Sequence, residues 1–188
     1  MKNILILGPS RSGKSTLAYN ICKKYSLEYI SGDSIRNAFI KIYPEIGYTV
    51  KNTINRIDFC SFIKTIIREN CACLKKKCYY VVESADISIE NAIKIFNDYL
   101  IICVGCGDIS SEKLKNNIRQ YDTELDWTKQ VDDKELLLIA NEIVARSKKM
   151  AKESEVYQIK YFDTSLNREK IYEDIYKYLD DEFENSNL

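Results

Sequence analysis

Apolar residues in this chain fall into short unbroken runs, separated by longer stretches in which they recur every three or four positions. The runs lie at 3–7 (Asn-Ile-Leu-Ile-Leu), 27–31, 78–83 (Cys-Tyr-Tyr-Val-Val-Glu), 99–104 and 159–163. Runs this short and continuous suit strands buried on both faces of a parallel sheet. Between them, Leu17, Ala18, Ile21, Cys22 and Tyr25 share one helical face, and the longest helical pattern runs from about Asn52 to Leu74 with pairs at Phe59/Cys60, Phe62/Ile63 and Ile66/Ile67. Asp132 and Glu135 form a capping box ahead of Leu136, and Asn167 precedes a final stripe of Ile171, Ile175 and Tyr178. Buried strands alternating with helices predict an α/β fold, a three-layer doubly wound parallel sheet of five strands. The last eight residues, 181–188, read as a polar fraying end.

Composition narrows the picture. The 188 residues predict one domain over 1–188, and 45% hydrophobic with 30% charged residues is ordinary for a soluble globular chain. Lys+Arg and Asp+Glu both number 28, which argues against a broad nucleic-acid or membrane footprint; Lys75–Lys77 and Lys148–Lys149 read as solvated helix faces. The first apolar run is too short for a signal peptide and no later one approaches a bilayer span, so the expected address is cytoplasmic. Seven cysteines accompany no histidine, and Cys103-Val-Gly-Cys106 lacks a second such pair, so the thiols are expected to be reduced, strand-packed small hydrophobes. A monomer or a homodimer is expected.

Chemistry enters at the end of the first run. Gly8-Pro-Ser-Arg-Ser-Gly13-Lys14-Ser15 fits G-x-x-x-x-G-K-[ST] after a strand and before a helix, the context of a true phosphate loop. Glycines let successive backbone N–H groups converge on phosphate oxygens, and the helix adds its positive end. Gly8, Ser10, Arg11, Ser12, Gly13, Lys14, Ser15 and Thr16 are therefore the candidates to hold a nucleoside triphosphate. Lys14 would reach the β and γ phosphates and Ser15 would coordinate Mg²⁺.

With this loop in place the chain resembles the P-loop small-molecule kinases, the superfamily of adenylate, shikimate and gluconate kinases. Ser31-Gly-Asp-Ser-Ile-Arg36 is similar to the acceptor-site segment of adenylate kinases, which implies that Arg36 grips an acceptor anion, with Ser31 beside it. Asp33 falls where sugar-type members place a carboxylate on the accepting hydroxyl, a general base; the other reading is that Ser31 or Asp33 caps the next helix. Glu83 closes the third run, where related enzymes carry the acid that orients the water shell of Mg²⁺ or the acceptor, and Asp86 is a substitute. Adenylate kinase has Asp-Gly-Phe-Pro-Arg here in place of Glu83-Ser-Ala-Asp86, a departure from a strict nucleoside-monophosphate site. The loop after the last strand implies adenine contacts from Thr164, Ser165 and Asn167.

The resemblance further implies acceptor-site helices over about 32–77, walling a pocket, and a lid over about 110–150. Arg119 and Arg146, with Arg11 as a third contender, are the candidates to meet the transferring phosphoryl group. Trp127 and Tyr121 either stack on a base or form a small lid core, and the core reading is favoured. The expectation is an ATP- and Mg²⁺-dependent phosphotransferase acting on a nucleoside, nucleotide or similar small metabolite, with neither nucleic acid nor membrane as partner. A hydroxyl acceptor of the shikimate or gluconate type and a monophosphate acceptor both stay open, as does an NTP-hydrolysing regulatory switch.

Overall fold

The computed structural model describes residues 1–185. Five strands, β1 (Ile4–Leu7), β2 (Glu28–Ser31), β3 (Tyr80–Ser84), β4 (Leu100–Gly105) and β5 (Lys160–Asp163), form one sheet in the order β2-β3-β1-β4-β5, and every neighbouring pair is parallel. Each strand lies where an apolar run placed it. Seven helices connect and flank them among the described residues: α1 (Lys14–Tyr25), α2 (Gly32–Ile42), α3 (Ile57–Leu74), α4 (Ile89–Ile95), α5 (Ser111–Tyr121), α6 (Asp133–Val156) and α7 (Arg168–Asn185).

The two-residue period of β1 sorts the core into two layers. Ile4 and Ile6 pack with Val81, Ile102 and Val104 against Leu17 and Ile21 of α1 and Ile175 and Leu179 of α7. Leu5 and Leu7 face the opposite way, toward Phe59, Ile63 and Ile67 of α3, Ala92 of α4 and Met150 of α6. A third, smaller core joins α5 to α6 through Leu114, Ile118, Leu136, Ala140 and Ile143. The carboxyl ends of β1 and β3 are the central edge of the sheet, and the β1–α1 turn crosses it, which is where open parallel sheets hold ligands.

Caps behave as their sequences predict. The Asp132 carboxylate accepts from the backbone N–H groups of Lys134 and Glu135, and Asn167 accepts from that of Lys170. Several expectations are corrected. The longest helix is α6, at 24 residues; the 52–74 pattern breaks into a 3-10 turn (Thr53–Asn55) and the 18-residue α3, whose preceding residue Arg56 is extended. Residues 181–185 are not a fraying end but the last turn of α7, because Phe183 is buried edge-on against Tyr25, with ring centroids 5.3 Å apart; 186–188 lie outside the described residues. The cysteines are all free, but only Cys103 sits within a strand, with Cys22, Cys60, Cys71 and Cys73 on helices and Cys73 exposed. Among the described residues no helix is long and apolar enough to cross a membrane.

Phe183→Ala is expected to lower the unfolding free energy by about 3 kcal/mol, the usual cost of emptying a buried aromatic site. Urea denaturation followed by circular dichroism checks this, and a loss below about 0.5 kcal/mol contradicts the assignment of this turn to the core.

Candidate active site

The β1–α1 turn is shaped by two glycines that tolerate no side chain. A Cβ on Gly8 would lie 2.4 Å from the Val104 carbonyl oxygen, and Gly13, at φ 86°, would bring one within 2.6 Å of the Tyr172 hydroxyl. Arg11 also adopts a left-handed conformation, φ 64°, which is uncommon for a residue with a Cβ. The turn is braced from the sheet and from α7: the Tyr172 hydroxyl donates to the Gly13 carbonyl at 2.7 Å, and buried Thr164 places its hydroxyl 2.9 Å from the Ser12 carbonyl and 3.0 Å from that of Gly105. Ser12 Oγ is buried without a hydrogen-bond partner.

From the first turn of α1, Lys14 points into the sheet edge and is 4% exposed. Its Nζ lies 3.4 Å from Asp33 Oδ2 and 3.4 Å from Glu83 Oε2. Three elements thus meet at one ammonium group: α1, the first turn of α2 and the end of β3. Ser31 is the residue that caps α2, accepting from the Ser34 N–H, which leaves Asp33 free of the capping role. Asp33 Oδ1 instead accepts from the Ala85 N–H at 2.8 Å and the Ser84 hydroxyl at 3.2 Å. Burial opposes ionisation of Asp33, but Lys14, the Ala85 amide and Arg36 hold its carboxyl below the usual range. Glu83, buried, receives the Tyr29 hydroxyl on Oε1 at 3.0 Å, and its Oε2 has no hydrogen-bond partner. Tyr29 carried no signal in the sequence beyond its place in the second apolar run.

Arg36 is buried and its guanidinium is occupied. Nη1 pairs with Asp86, while Nε and Nη2 donate to Asn37 Oδ1 at 3.2 and 2.9 Å. Burial and the neighbouring Asp33 carboxylate push Asp86 up to about 7, against the pull of Arg36 and Lys14. Arg146, exposed on α6, donates to the Ala85 carbonyl at 2.9 Å and so reaches the end of β3. Arg119 goes elsewhere: it bonds Asp133 and the carbonyls of Thr128 and Val131, pinning the α5–α6 connection rather than facing Lys14. Arg11 also reaches that connection, pairing with Asp122 at 2.6 Å and with Asp126.

A cleft of about 770 Å³ opens over the phosphate loop. It is walled by Arg11–Asp126 on one side and by Thr164, Ser165, Leu166, Asn167 and Arg168 on the other. Tyr121 and Trp127 line it and are more than half exposed, so the expected small core of these two rings does not form. Within the loop after β5, Thr164 is spent on the Ser12 and Gly105 carbonyls and Asn167 on capping α7, while Ser165 Oγ is buried with no partner. The expected pocket between α2 and α3 is not part of this cleft; Phe39, Tyr48, Phe59 and Phe62 fill that space with edge-on ring contacts, and Asp33 alone of the described α2 and α3 residues lines the cleft.

Ser15 and Glu83 carry hard oxygen ligands, and Glu83 Oε2, without a hydrogen bond and 3.4 Å from Lys14 Nζ, suits the water shell of a divalent cation. Among the described residues no group of three or more Cys, Asp or Glu side chains could hold a metal ion by itself.

The raised Asp86 carboxyl predicts a pH dependence. An unfolded aspartate titrates at ~3.9, so between about 4 and 7 the unfolded chain releases a proton that the folded chain keeps, and stability falls as pH rises through that window. Thermal melts from pH 4 to 8 should show this slope in the wild type and a flatter one in Asp86→Asn. Parallel profiles contradict the assignment.

No family model matches the chain. It is 32% identical over 97 residues to the adenylate kinase of Thermococcus sibiricus, covering 50% of this chain and 42% of that protein. With the adenylate kinase of Pyrococcus abyssi it shares 39% identity over 67 residues, 35% of this chain and 30% of that one. The chain thus matches less than half the length of these relatives. Solved structures extend the likeness of fold to nearly the whole chain: shikimate kinase from Bacteroides thetaiotaomicron superposes with a TM-score of 0.55 at 15% identity over 95% of this chain and 98% of that one. Shikimate kinase from Acinetobacter baumannii in complex with shikimate gives 0.54 at 14% identity over 98% and 94%. By these likenesses the chain has the fold of the shikimate kinase structures, and over up to half of its length its sequence is similar to adenylate kinases.

Proposed function

We propose that the chain is an ATP-dependent phosphotransferase that moves the γ-phosphoryl group to a hydroxyl of a small molecule. The observation that carries this reading is the buried Lys14 ammonium held at 3.4 Å from both Asp33 and Glu83, directly after the phosphate loop. Backbone N–H groups of the loop and Lys14 would hold the β and γ phosphates, and developing charge in such transfers is met chiefly by fixed positive groups. Ser15 and Glu83 would hold Mg²⁺, which when bound neutralises phosphate charge. ATP is favoured over GTP by the likeness to adenylate kinases.

Asp33 is the candidate general base. Its Oδ1 is fixed by the Ala85 amide and the Ser84 hydroxyl, so Oδ2 presents toward Lys14 with a set orientation, and a held carboxylate can take the proton of an attacking hydroxyl. A monophosphate acceptor is the second reading. The Ser31-to-Arg36 segment favours it, and the pairing of Arg36 with Asp86 weighs against it.

Residues 110–150 would act as the lid that keeps water from taking the phosphoryl group. The contact that supports this is Arg11, which reaches from the phosphate loop to Asp122 and Asp126 along one wall of the cleft. Arg146, which reaches the Ala85 carbonyl and is not paired with a carboxylate, is the arginine we assign to the transferring group. Arg119 is assigned to holding the lid connection in shape.

An ADP-release screen of small acceptors with ATP and Mg²⁺ tests the assignment. Asp33→Asn is expected to lower turnover by roughly 10² to 10⁴ with ATP binding retained, whereas Lys14→Ala should lose both. Turnover unchanged in Asp33→Asn removes the base.

A further inference from the structure

We infer that Asp86 is the residue that sets charge selectivity on the acceptor side, so that the acceptor is an uncharged hydroxyl compound rather than a phosphorylated or carboxylated one. The inference rests on the phosphotransferase reading and adds the class of acceptor.

An anionic acceptor needs a cation that is not already spoken for. Two buried cations, Lys14 and Arg36, stand on this side of the site. Lys14 belongs to the phosphate loop and is shared by two carboxylates. The Arg36 guanidinium gives three of its five N–H groups to Asp86 and Asn37, and the arginine and aspartate side chains are only 10% and 3% exposed. An entering anion would have to displace Asp86. The displaced carboxylate would stay buried, next to Asp33 and without its partner, and breaking a buried pair in this way is strongly unfavourable. Arg146 is the remaining cation near Ala85, but it is exposed and lies outside this buried floor.

The balance of donors and acceptors points the same way. Asp33, partly exposed, and the buried Glu83 and Asp86 bring three carboxyl groups against the two buried cations Lys14 and Arg36. Glu83 Oε2 is buried with no hydrogen-bond partner. Three carboxyl groups beside two already paired cations suit a molecule that brings hydroxyl groups better than one that brings more carboxylate or phosphate oxygens. The likeness of Ser31-Gly-Asp-Ser-Ile-Arg36 to an anion-gripping segment is therefore cancelled by a residue fifty positions away.

The test is calorimetry at pH 8 with Mg²⁺ and a saturating non-hydrolysable ATP analogue, so that the donor site is filled. AMP and inorganic phosphate are the probes, titrated into wild type and Asp86→Asn. Wild type is expected to take up neither below about millimolar concentration, and freeing Arg36 in Asp86→Asn is expected to tighten uptake of at least one probe by tenfold or more. Micromolar uptake by wild type overturns the inference without any variant, and so does a folded Asp86→Asn chain with no gain. A turnover panel of nucleosides and polyols beside their phosphate monoesters adds a second arm: acceptors among the uncharged members support the inference, and a phosphorylated acceptor overturns it. Failure of the ATP analogue to bind in the first step refutes the phosphotransferase reading instead, so the two outcomes are told apart.

Discussion

A single buried ammonium group organises this molecule's working edge. Lys14 leaves the first turn of α1 and is met by carboxylates from α2 and β3, so the helix after the phosphate loop, the helix after β2 and strand β3 are tied at one point. A charge that is 4% exposed is tolerated only when paired, and the pairing fixes where all three carboxylate and ammonium groups sit relative to the loop. The same arrangement makes Lys14 available to phosphate: an anion that enters the loop offers it a stronger partner than two shared carboxylates at 3.4 Å, and releases those carboxylates toward a metal ion or an acceptor.

The rest of the fold serves to keep that point rigid. The two layers of core on either side of β1 hold the strand, Tyr172 from α7 holds the Gly13 carbonyl, and Thr164 after β5 holds the Ser12 carbonyl. Glycine at positions 8 and 13 follows from how closely Val104 and Tyr172 approach. Along one wall of the cleft, Arg11 ties the loop to Asp122 and Asp126, so the same short turn also holds the α5–α6 connection. Its fixed position gives the site orientation before any ligand arrives, and pre-set groups are what phosphoryl transfer chiefly requires.

Much of this was legible in the sequence because the signals were local. Each strand was an apolar run, and the phosphate loop announced itself by spacing and by its place between a strand and a helix. Asp33 and Glu83 could be singled out because one follows β2 and the other lies at the end of β3, the carboxyl edge that the parallel sheet shares with the phosphate loop. What could not be read was pairing over distance. Arg36 and Asp86 are fifty positions apart, and Arg11 and Asp122 more than a hundred, so the arginine set aside for an acceptor anion and the one in the loop both had partners that no periodicity reveals. Arg119 is the opposite case: its partners at 128, 131 and 133 are near in sequence, and a helix-end arginine that folds back on its own connection looks the same in sequence as one that faces a phosphate. Trp127 and Tyr121, though apolar enough for a core, line the cleft because Leu114, Ile118 and Leu136 already fill the space between α5 and α6.

The measurement closest to the centre of this account is isothermal titration of the purified, folded chain with ATP in the presence and absence of Mg²⁺. The account predicts saturable uptake at one site per chain that strengthens when Mg²⁺ is added. No detectable uptake of ATP or GTP under either condition would contradict it, since the turn around Lys14 would then hold no triphosphate at all.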